Sequence, residues 1–240
     1  KQWTVQVGNG TNDWIAGLTI DFSDNIYLVG RTYGDLNGET AQGGSDIFLS
    51  KYDPAGAHQW TRLIGTPGDE SPEAVTLCPC GTILIAGSTT GSFAGFTNAG
   101  GTDAILTKYS TSGGRIFLTQ WGSDGGTVAR TVVVDPSFQI YVAGTFEGTM
   151  DGTPSLGARD IFMKKFTAGA AVVWSHTFGT SADEDVTRII LGPGNDPIVT
   201  GTTEGAFSGF TNAGSQDWYL SMFTPDAIPL WTTQEGGAQS

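Results

Sequence analysis

The stretch His58-Gln59-Trp60-Thr61-Arg62-Leu63-Ile64-Gly65 has counterparts at one fixed interval along the chain. Its aromatic residue falls at Trp3, Trp60, Phe117, Trp174 and Trp231, each 57 residues from the last. The closing glycine keeps step as Gly8, Gly65, Gly122, Gly179 and Gly236. No residue is inserted or lost across four periods, so the chain is an array of equal units and its architecture must be sought in one of them.

Working outward from that phrase, a second glycine column, Gly30, Gly87, Gly144 and Gly201, closes the apolar runs Ile26-Tyr27-Leu28-Val29, Ile83-Leu84-Ile85-Ala86, Ile140-Tyr141-Val142-Ala143 and Pro197-Ile198-Val199-Thr200. Short runs rich in Val, Ile and Tyr between Gly, Asp, Asn and Pro read as strands, and no segment shows the 3.6-residue period of a helix. A further run lies just upstream (Val75-Thr76-Leu77, Val132-Val133-Val134) and joins the first through a tight turn such as Asp21-Phe22-Ser23-Asp24, giving strands A and B of a hairpin. Strand C follows an aspartate in every period, at Asp46, Asp103, Asp160 and Asp217, and the tryptophan phrase is strand D.

Consecutive apolar residues in strand C, as in Ile47-Phe48-Leu49, mean that both sheet faces are covered. Four short antiparallel strands per unit, stacked face to face with glycine-rich turns, predict an all-β chain: a β-propeller of four-stranded blades. A parallel β-helix is the competing architecture, but its coils are shorter and need no tight hairpins. The whole of 1–240 reads as one propeller domain or segment, with blades at about 15–64, 72–121, 129–178 and 186–235 and one extra N-terminal strand at 3–7. That surplus copy of strand D predicts an array cut from a longer one, two chains that meet, or a swap with Trp231-Thr232-Thr233. The opening Lys1 fits a processed or excised segment.

The phrases Phe96-Thr97-Asn98-Ala99-Gly100-Gly101-Thr102-Asp103, Asp103-Ala104-Ile105-Leu106-Thr107-Lys108-Tyr109 and Ile140-Tyr141-Val142-Ala143-Gly144-Thr145 resemble the bacterial β-propeller repeat called SBBP, and the resemblance runs the length of the chain. It implies a propeller in a secreted, periplasmic or cell-surface setting and no catalytic residue. Members commonly carry Asp-x-x-Gly-Asn at the A-to-B turn. Here Cys78-Pro79-Cys80-Gly81-Thr82 and Gly192-Pro193-Gly194-Asn195-Asp196 depart from that pattern.

Composition excludes several classes. Eleven Lys and Arg against 24 Asp and Glu give a formal charge of −13, which repels a phosphate backbone, so nucleic acid is not an expected partner. No apolar stretch approaches the roughly 20 residues needed to span a bilayer. Cys78 and Cys80 are too few for a disulfide framework or a four-ligand metal site, and their spacing predicts a strained local disulfide or two free thiols. No metal and no cofactor is expected.

In an up-and-down meander the B-to-C and D-to-A loops share one face of the propeller, which is where recognition is expected. Acidic residues gather there, among them Asp35, Glu39, Asp69, Glu73, Asp124 and Glu147, with Arg159 as the clear counter-charge. Asp46, Asp103, Asp160 and Asp217 stand at loop-to-strand junctions, where a carboxylate accepts backbone N–H bonds, and a structural role is expected for them. Blades 2 and 4 share Phe96-Thr97-Asn98 and Phe210-Thr211-Asn212. An exposed ring beside an amide would suit a sugar, so Phe96, Asn98, Phe210 and Asn212 are candidate ligand-binding residues. The competing reading has the rings plugging the blade edge. Lys51, Lys108 and Lys165 recur in strand C while Met222 takes the fourth place, which predicts a solvated strand end.

No Gly-x-Ser-x-Gly, phosphate-binding Gly-rich loop with Lys, or His-Glu-x-x-His occurs, and the two histidines fall in unrelated columns. The expected function is therefore a non-catalytic, exported or surface-exposed propeller that binds or scaffolds other proteins, with self-association through open edges available to it. A glycan-binding propeller is the alternative, and a carboxylate enzyme such as a glycosidase or lyase comes third.

Overall fold

A computed structural model describes residues 3–237. Sixteen strands make four antiparallel sheets, each in simple up-and-down order. Blade 1 holds β1 (Asp13–Ile20), β2 (Ile26–Thr32), β3 (Asp46–Tyr52) and β4 (His58–Ile64). Blade 2 holds β5 (Glu70–Leu77), β6 (Thr82–Thr89), β7 (Asp103–Ser110) and β8 (Arg115–Trp121). Blade 3 holds β9 (Thr127–Val134), β10 (Ile140–Met150), β11 (Thr153–Phe166) and β12 (Val172–Phe178). Blade 4 holds β13 (Glu184–Leu191), β14 (Pro197–Thr203), β15 (Asp217–Phe223) and β16 (Pro229–Glu235). This is a four-stranded-blade propeller, and consecutive antiparallel hairpins rule out the parallel β-helix. Each blade opens two residues earlier than the apolar run suggests, because the polar column Asp13, Glu70, Thr127, Glu184 already pairs with strand B.

The first strand of every blade carries a β-bulge at the same column. The register shifts across Ala16, Glu73, Arg130 and Thr187, each left without a partner on strand B. Opposite the bulge stands the second glycine column. A Cβ on Gly30, Gly87, Gly144 or Gly201 would collide with the carbonyl oxygen of Trp14, Ser71, Val128 or Asp185 respectively. The glycine is thus required by a close backbone approach, and the bulge it permits re-aims one side chain per blade.

Three apolar cores lie between blades. Tyr27, Val29, Ile47 and Leu49 of blade 1 meet Ile83, Ile85 and Ile105 of blade 2. Leu84, Ala86 and Leu106 meet Val132, Val142 and Phe162. Tyr141, Ile161 and Met163 meet Val186, Val199 and Tyr219. Among the described residues no comparable core joins blade 4 to blade 1. The difference is visible in burial: β6 is buried from Ile83 to Thr89, whereas β14 and β15 bury every second residue, as a sheet with one uncovered face does.

The extra N-terminal strand predicted at 3–7 is not formed. Residues 3–7 carry the strand D phrase but join no sheet. Trp3 still packs as its counterparts do. Its Nε1 donates to the Pro54 carbonyl at 3.3 Å and its ring covers Gly56, just as Trp174 Nε1 donates to the Pro225 carbonyl at 3.0 Å. The swap with Trp231-Thr232-Thr233 is not seen, since β16 pairs only with β15.

The strand C lysines correct a second expectation. Lys51, Lys108 and Lys165 donate from Nζ to the carbonyls of Thr111, Ala168 and Pro225, each in the C-to-D turn of the next blade. Lys108 is only 6% exposed, and burial pulls its ammonium below the ordinary lysine range. These side chains are cross-blade ties and not a solvated strand end; Met222 fills the column in the one blade whose outer face is uncovered.

A glycine forced by a carbonyl cannot accept a methyl group without moving the bulge. Gly87→Ala is expected to lower stability by about 2–3 kcal/mol, read as a shift of the urea midpoint, whereas Gly81→Asn in the open A-to-B turn, which has φ 75° and no atom near its Cβ position, should shift it far less.

Candidate functional site

The bulged strands β1, β5, β9 and β13 converge on the propeller axis and line a cavity of about 330 Å³. Two of the bulge residues are charged and meet there. Arg130 Nη1 lies 3.1 Å from Glu73 Oε2, and its Nε lies 3.5 Å from Asp185 Oδ1 without hydrogen-bond alignment. Arg188 and Thr131 also line the cavity, with Leu18, Val132 and Ile190 as its apolar wall. This Glu73–Arg130–Asp185 group went unnoticed in the sequence because a bulge leaves no local signature. The usable signal was a repeat column, Ala16, Glu73, Arg130, Thr187, that changes character in every blade. Chemically, one guanidinium pairs with one half-buried carboxylate and stands beside a second, which leaves the three groups with one unit of negative charge in excess.

The junction aspartates occupy one environment throughout. Asp46 accepts from the Gln42 N–H, Asp103 from Ala99, Asp160 from Leu156 and Gly157, and Asp217 from Ala213. In blades 2 and 4 a glutamine of strand D adds a further bond: Gln120 and Gln234 donate from Nε2 to Asp103 and Asp217. The same amides fasten the B-to-C loop, accepting from the N–H of Phe93 and Phe207 and donating to the carbonyls of Gly91 and Gly205. That coupling is the physical reason blades 2 and 4 share a loop sequence.

At two interfaces the junction aspartate stands beside a second buried carboxylate. Glu70 takes bonds from Thr66 N–H, Thr66 Oγ1 and Thr89 Oγ1, and Glu184 takes the same set from Thr180 and Thr203. Burial pushes Asp46, Glu70, Asp160 and Glu184 above the usual carboxylate range, with the neighbouring aspartate adding to the rise at both glutamates.

The four candidate ligand residues fall in two separate loops. Phe96 is half-buried against the blade 1–2 core, and Phe210 is half-buried as well. The side-chain oxygens of Asn98 and Asn212 accept from Gly100 and Gly214, shaping their turns, while Asn212 Nδ2 is buried without a partner. The residue that plugs each loop is three positions earlier: Leu36, Phe93 and Met150 are buried, with Phe207 half-buried against the blade 3–4 core. This column is apolar in all four blades, a signal available in the sequence. In blade 3 the loop is instead a hairpin extension, closed by Asp151 and Gly152 at φ 51° and 81°, which is the two-residue turn with both central residues left-handed.

The acidic face is less one-sided than its loops suggest. Arg62 pairs with Glu39 at 3.0 Å, Lys164 with Asp151, and Arg130 with Glu73, so counter-charges arrive from strands, while Arg159 donates to the Glu184 carbonyl. Cys78 and Cys80 are joined by a disulfide in the A-to-B turn of blade 2. Among the described residues no group of three His, Cys, Asp or Glu side chains could hold a metal ion. His58 and His176 lie on the outermost strands β4 and β12, away from the axial group.

Residues 2–37 match the beta-propeller repeat SBBP. That match covers one stretch of the SBBP repeat near the start of the chain. The regulatory protein FlaEY of Caulobacter vibrioides is 24% identical over 185 residues, covering 71% of this chain and 19% of that protein. An uncharacterized WD repeat-containing protein, L264, of Acanthamoeba polyphaga mimivirus is 23% identical over 226 residues, covering 72% and 16%. The chain thus spans less than a fifth of the length of these two relatives. In structure it is similar to the proposed exo-beta-1,3-galactanase of Bifidobacterium bifidum s17, with a TM-score of 0.50 at 10% identity over 93% of this chain and 71% of that one. At that identity the likeness is one of fold.

Raised carboxyls give a stability signature. A carboxyl that ionises at higher pH folded than unfolded holds more protons in the folded chain, so its contribution falls as pH rises through the folded value. The urea midpoint should be higher at pH 5 than at pH 8, and Glu70→Gln with Glu184→Gln should flatten that slope. Equal slopes in the double variant would show that general charge repulsion alone is responsible.

Proposed function

We propose that this propeller is a non-catalytic module that binds or scaffolds another protein in an oxidising, extracytoplasmic or surface setting. The observation that carries this reading is the uncovered face of blade 4. Trp218 is 45% exposed and Trp231 44%, with Leu220 and Met222 half-buried, although the same columns in blades 2 and 3 are packed against the next blade. An apolar sheet face of this kind on a chain of charge −13 marks an interaction surface. The axial group supports the same reading, because Glu73 is already engaged by Arg130, a structural use of the carboxylate. The Cys78–Cys80 disulfide supports the setting.

Glycan binding is the second reading, resting on the unpartnered Asn212 amide two residues from Phe210. A photo-crosslinker at position 218 should capture a protein partner, and Trp231→Glu should abolish the capture. Glycan-array binding lost with Asn212→Ala would favour the second reading. Polysaccharide turnover lost with Glu73→Gln would overturn both.

A further inference from the structure

The Cys-Pro-Cys turn of blade 2 has no counterpart in the other blades, and the proposed binding surface does not include it. Its columns show what it replaces. Cys78 stands where blades 1 and 3 have Asp21 and Asp135, and Cys80 where they have Ser23 and Ser137. In those blades the aspartate is the anion of the turn. Asp21 Oδ1 accepts the N–H of Ser23 at 2.8 Å and of Asn25 at 3.0 Å, and Asp135 Oδ1 accepts those of Ser137 and Gln139, both at 2.8 Å. Burial alone would push the Asp21 carboxyl up, but these bonds and that of Tyr27 outweigh it and hold it below the usual range. The turn is therefore a small backbone receptor for one negative charge.

Blade 2 keeps the receptor and changes the occupant. Its backbone bonds are those of the other blades, Cys78 N–H to the Thr82 carbonyl and Gly81 N–H to the Cys78 carbonyl, both at 2.8 Å. The Cys80 N–H points at Cys78 Sγ, 3.1 Å away, as Ser23 N–H points at Asp21. The Thr82 N–H occupies the column of Asn25 and Gln139.

The covalent link is not needed to shape the turn. Blade 4 makes the same turn with Gly192 in the first place and no side-chain cap, through Gly192 N–H to Asp196 and Asn195 N–H to Gly192. Nor is such a short link an effective staple, because the unfolded-chain entropy a disulfide removes grows with the loop it closes. The two sulfurs also differ in access: Cys78 is fully buried in the blade 2–3 core, whereas Pro79 and Cys80 are exposed.

We propose that Cys78–Cys80 is a reversible thiol–disulfide exchange site whose substrates are thiols. An external thiolate attacks Cys80 Sγ, the exposed sulfur. A bond forms between the two, the Cys78–Cys80 bond breaks, and its electron pair leaves on Cys78. The new thiolate takes the place of the aspartate carboxylate and receives the N–H groups of residues 80 and 82. Attack by Cys78 on Cys80 Sγ expels the thiol and restores the start. A second external thiolate attacking the sulfur of the bound thiol releases a disulfide of the two thiols and leaves Cys80 as a thiolate. The external thiols then lose two electrons and the protein gains them.

The test equilibrates the full chain with reduced and oxidised glutathione, quenches with acid, alkylates, and weighs the protein while circular dichroism follows the fold. Two alkylated thiols that appear without loss of the β-sheet signal, and that disappear on raising oxidised glutathione, are expected. In Cys78→Ser, Cys80 should form the glutathione adduct at least tenfold faster than Cys78 does in Cys80→Ser. Cys78→Asp combined with Cys80→Ser rebuilds the turn of blades 1 and 3 and should fold with the thermal midpoint of the parent. Thiols that appear only when urea unfolds the chain, equal adduct rates in the two single variants, or a double variant that fails to fold would each overturn the proposal.

Discussion

At Gly30, Gly87, Gly144 and Gly201 the second strand of each blade gives up its side chain so that a carbonyl of the first strand can sit in the vacated space. The rest of the molecule follows from that contact. It lets the innermost strand bulge at one fixed place, the bulge sharpens the local twist, and the twist lets four sheets fan around an axis instead of stacking flat. It also selects which side chain faces the axis, and so brings Glu73 and Arg130 together from blades whose sequences give no hint of a meeting. A glycine that looks like punctuation at the end of an apolar run is a steric requirement two strands wide.

Burying carboxylates is the second theme. Strand C begins with a buried aspartate in blades 1, 2 and 4 and holds one at the same column, Asp160, in blade 3, and two interfaces add a glutamate. Such groups cost free energy unless backbone amides and hydroxyls meet them. Here each is met by N–H groups of the segment that leads into it, so the cost is offset by ordering that segment. A propeller with long glycine-rich loops and no helix among its described residues has few other means of holding those loops in place, and the polar anchors do for the rim what the apolar columns do for the body.

The architecture was legible in the sequence because it is carried by columns: a period without insertions, strands of four to six apolar residues, and turn residues at fixed offsets all survive in one dimension. The site was less legible, because a repeat column shows identity and not partner. Lys51, Lys108 and Lys165 read as solvated since their acceptors lie 60 residues downstream, in another blade. Phe96 and Phe210 drew attention as aromatics, although the plug is the less conspicuous column of Leu36, Phe93, Met150 and Phe207. The stretch 3–7 carries the strand D phrase and yet joins no sheet, since a phrase alone makes no ladder. The Cys-Pro-Cys turn was visible as an exception, and its meaning came from the hydrogen bonds of its counterparts.

The lysine ties run in one direction only. Each leaves strand C of one blade and ends on the C-to-D turn of the next, and the tryptophans of Trp3 and Trp174 reach forward in the same sense. The array therefore has a polarity that its sheets alone would not give it, with lysine donors on blades 1 to 3 and their acceptors on blades 2 to 4. A disturbance at an acceptor turn is felt by the blade before it, while a disturbance at a donor strand is felt by the blade after it. Mechanical load or local melting would then spread along the propeller as along a row of hooks and eyes, and the two flanks of the chain are not interchangeable ends.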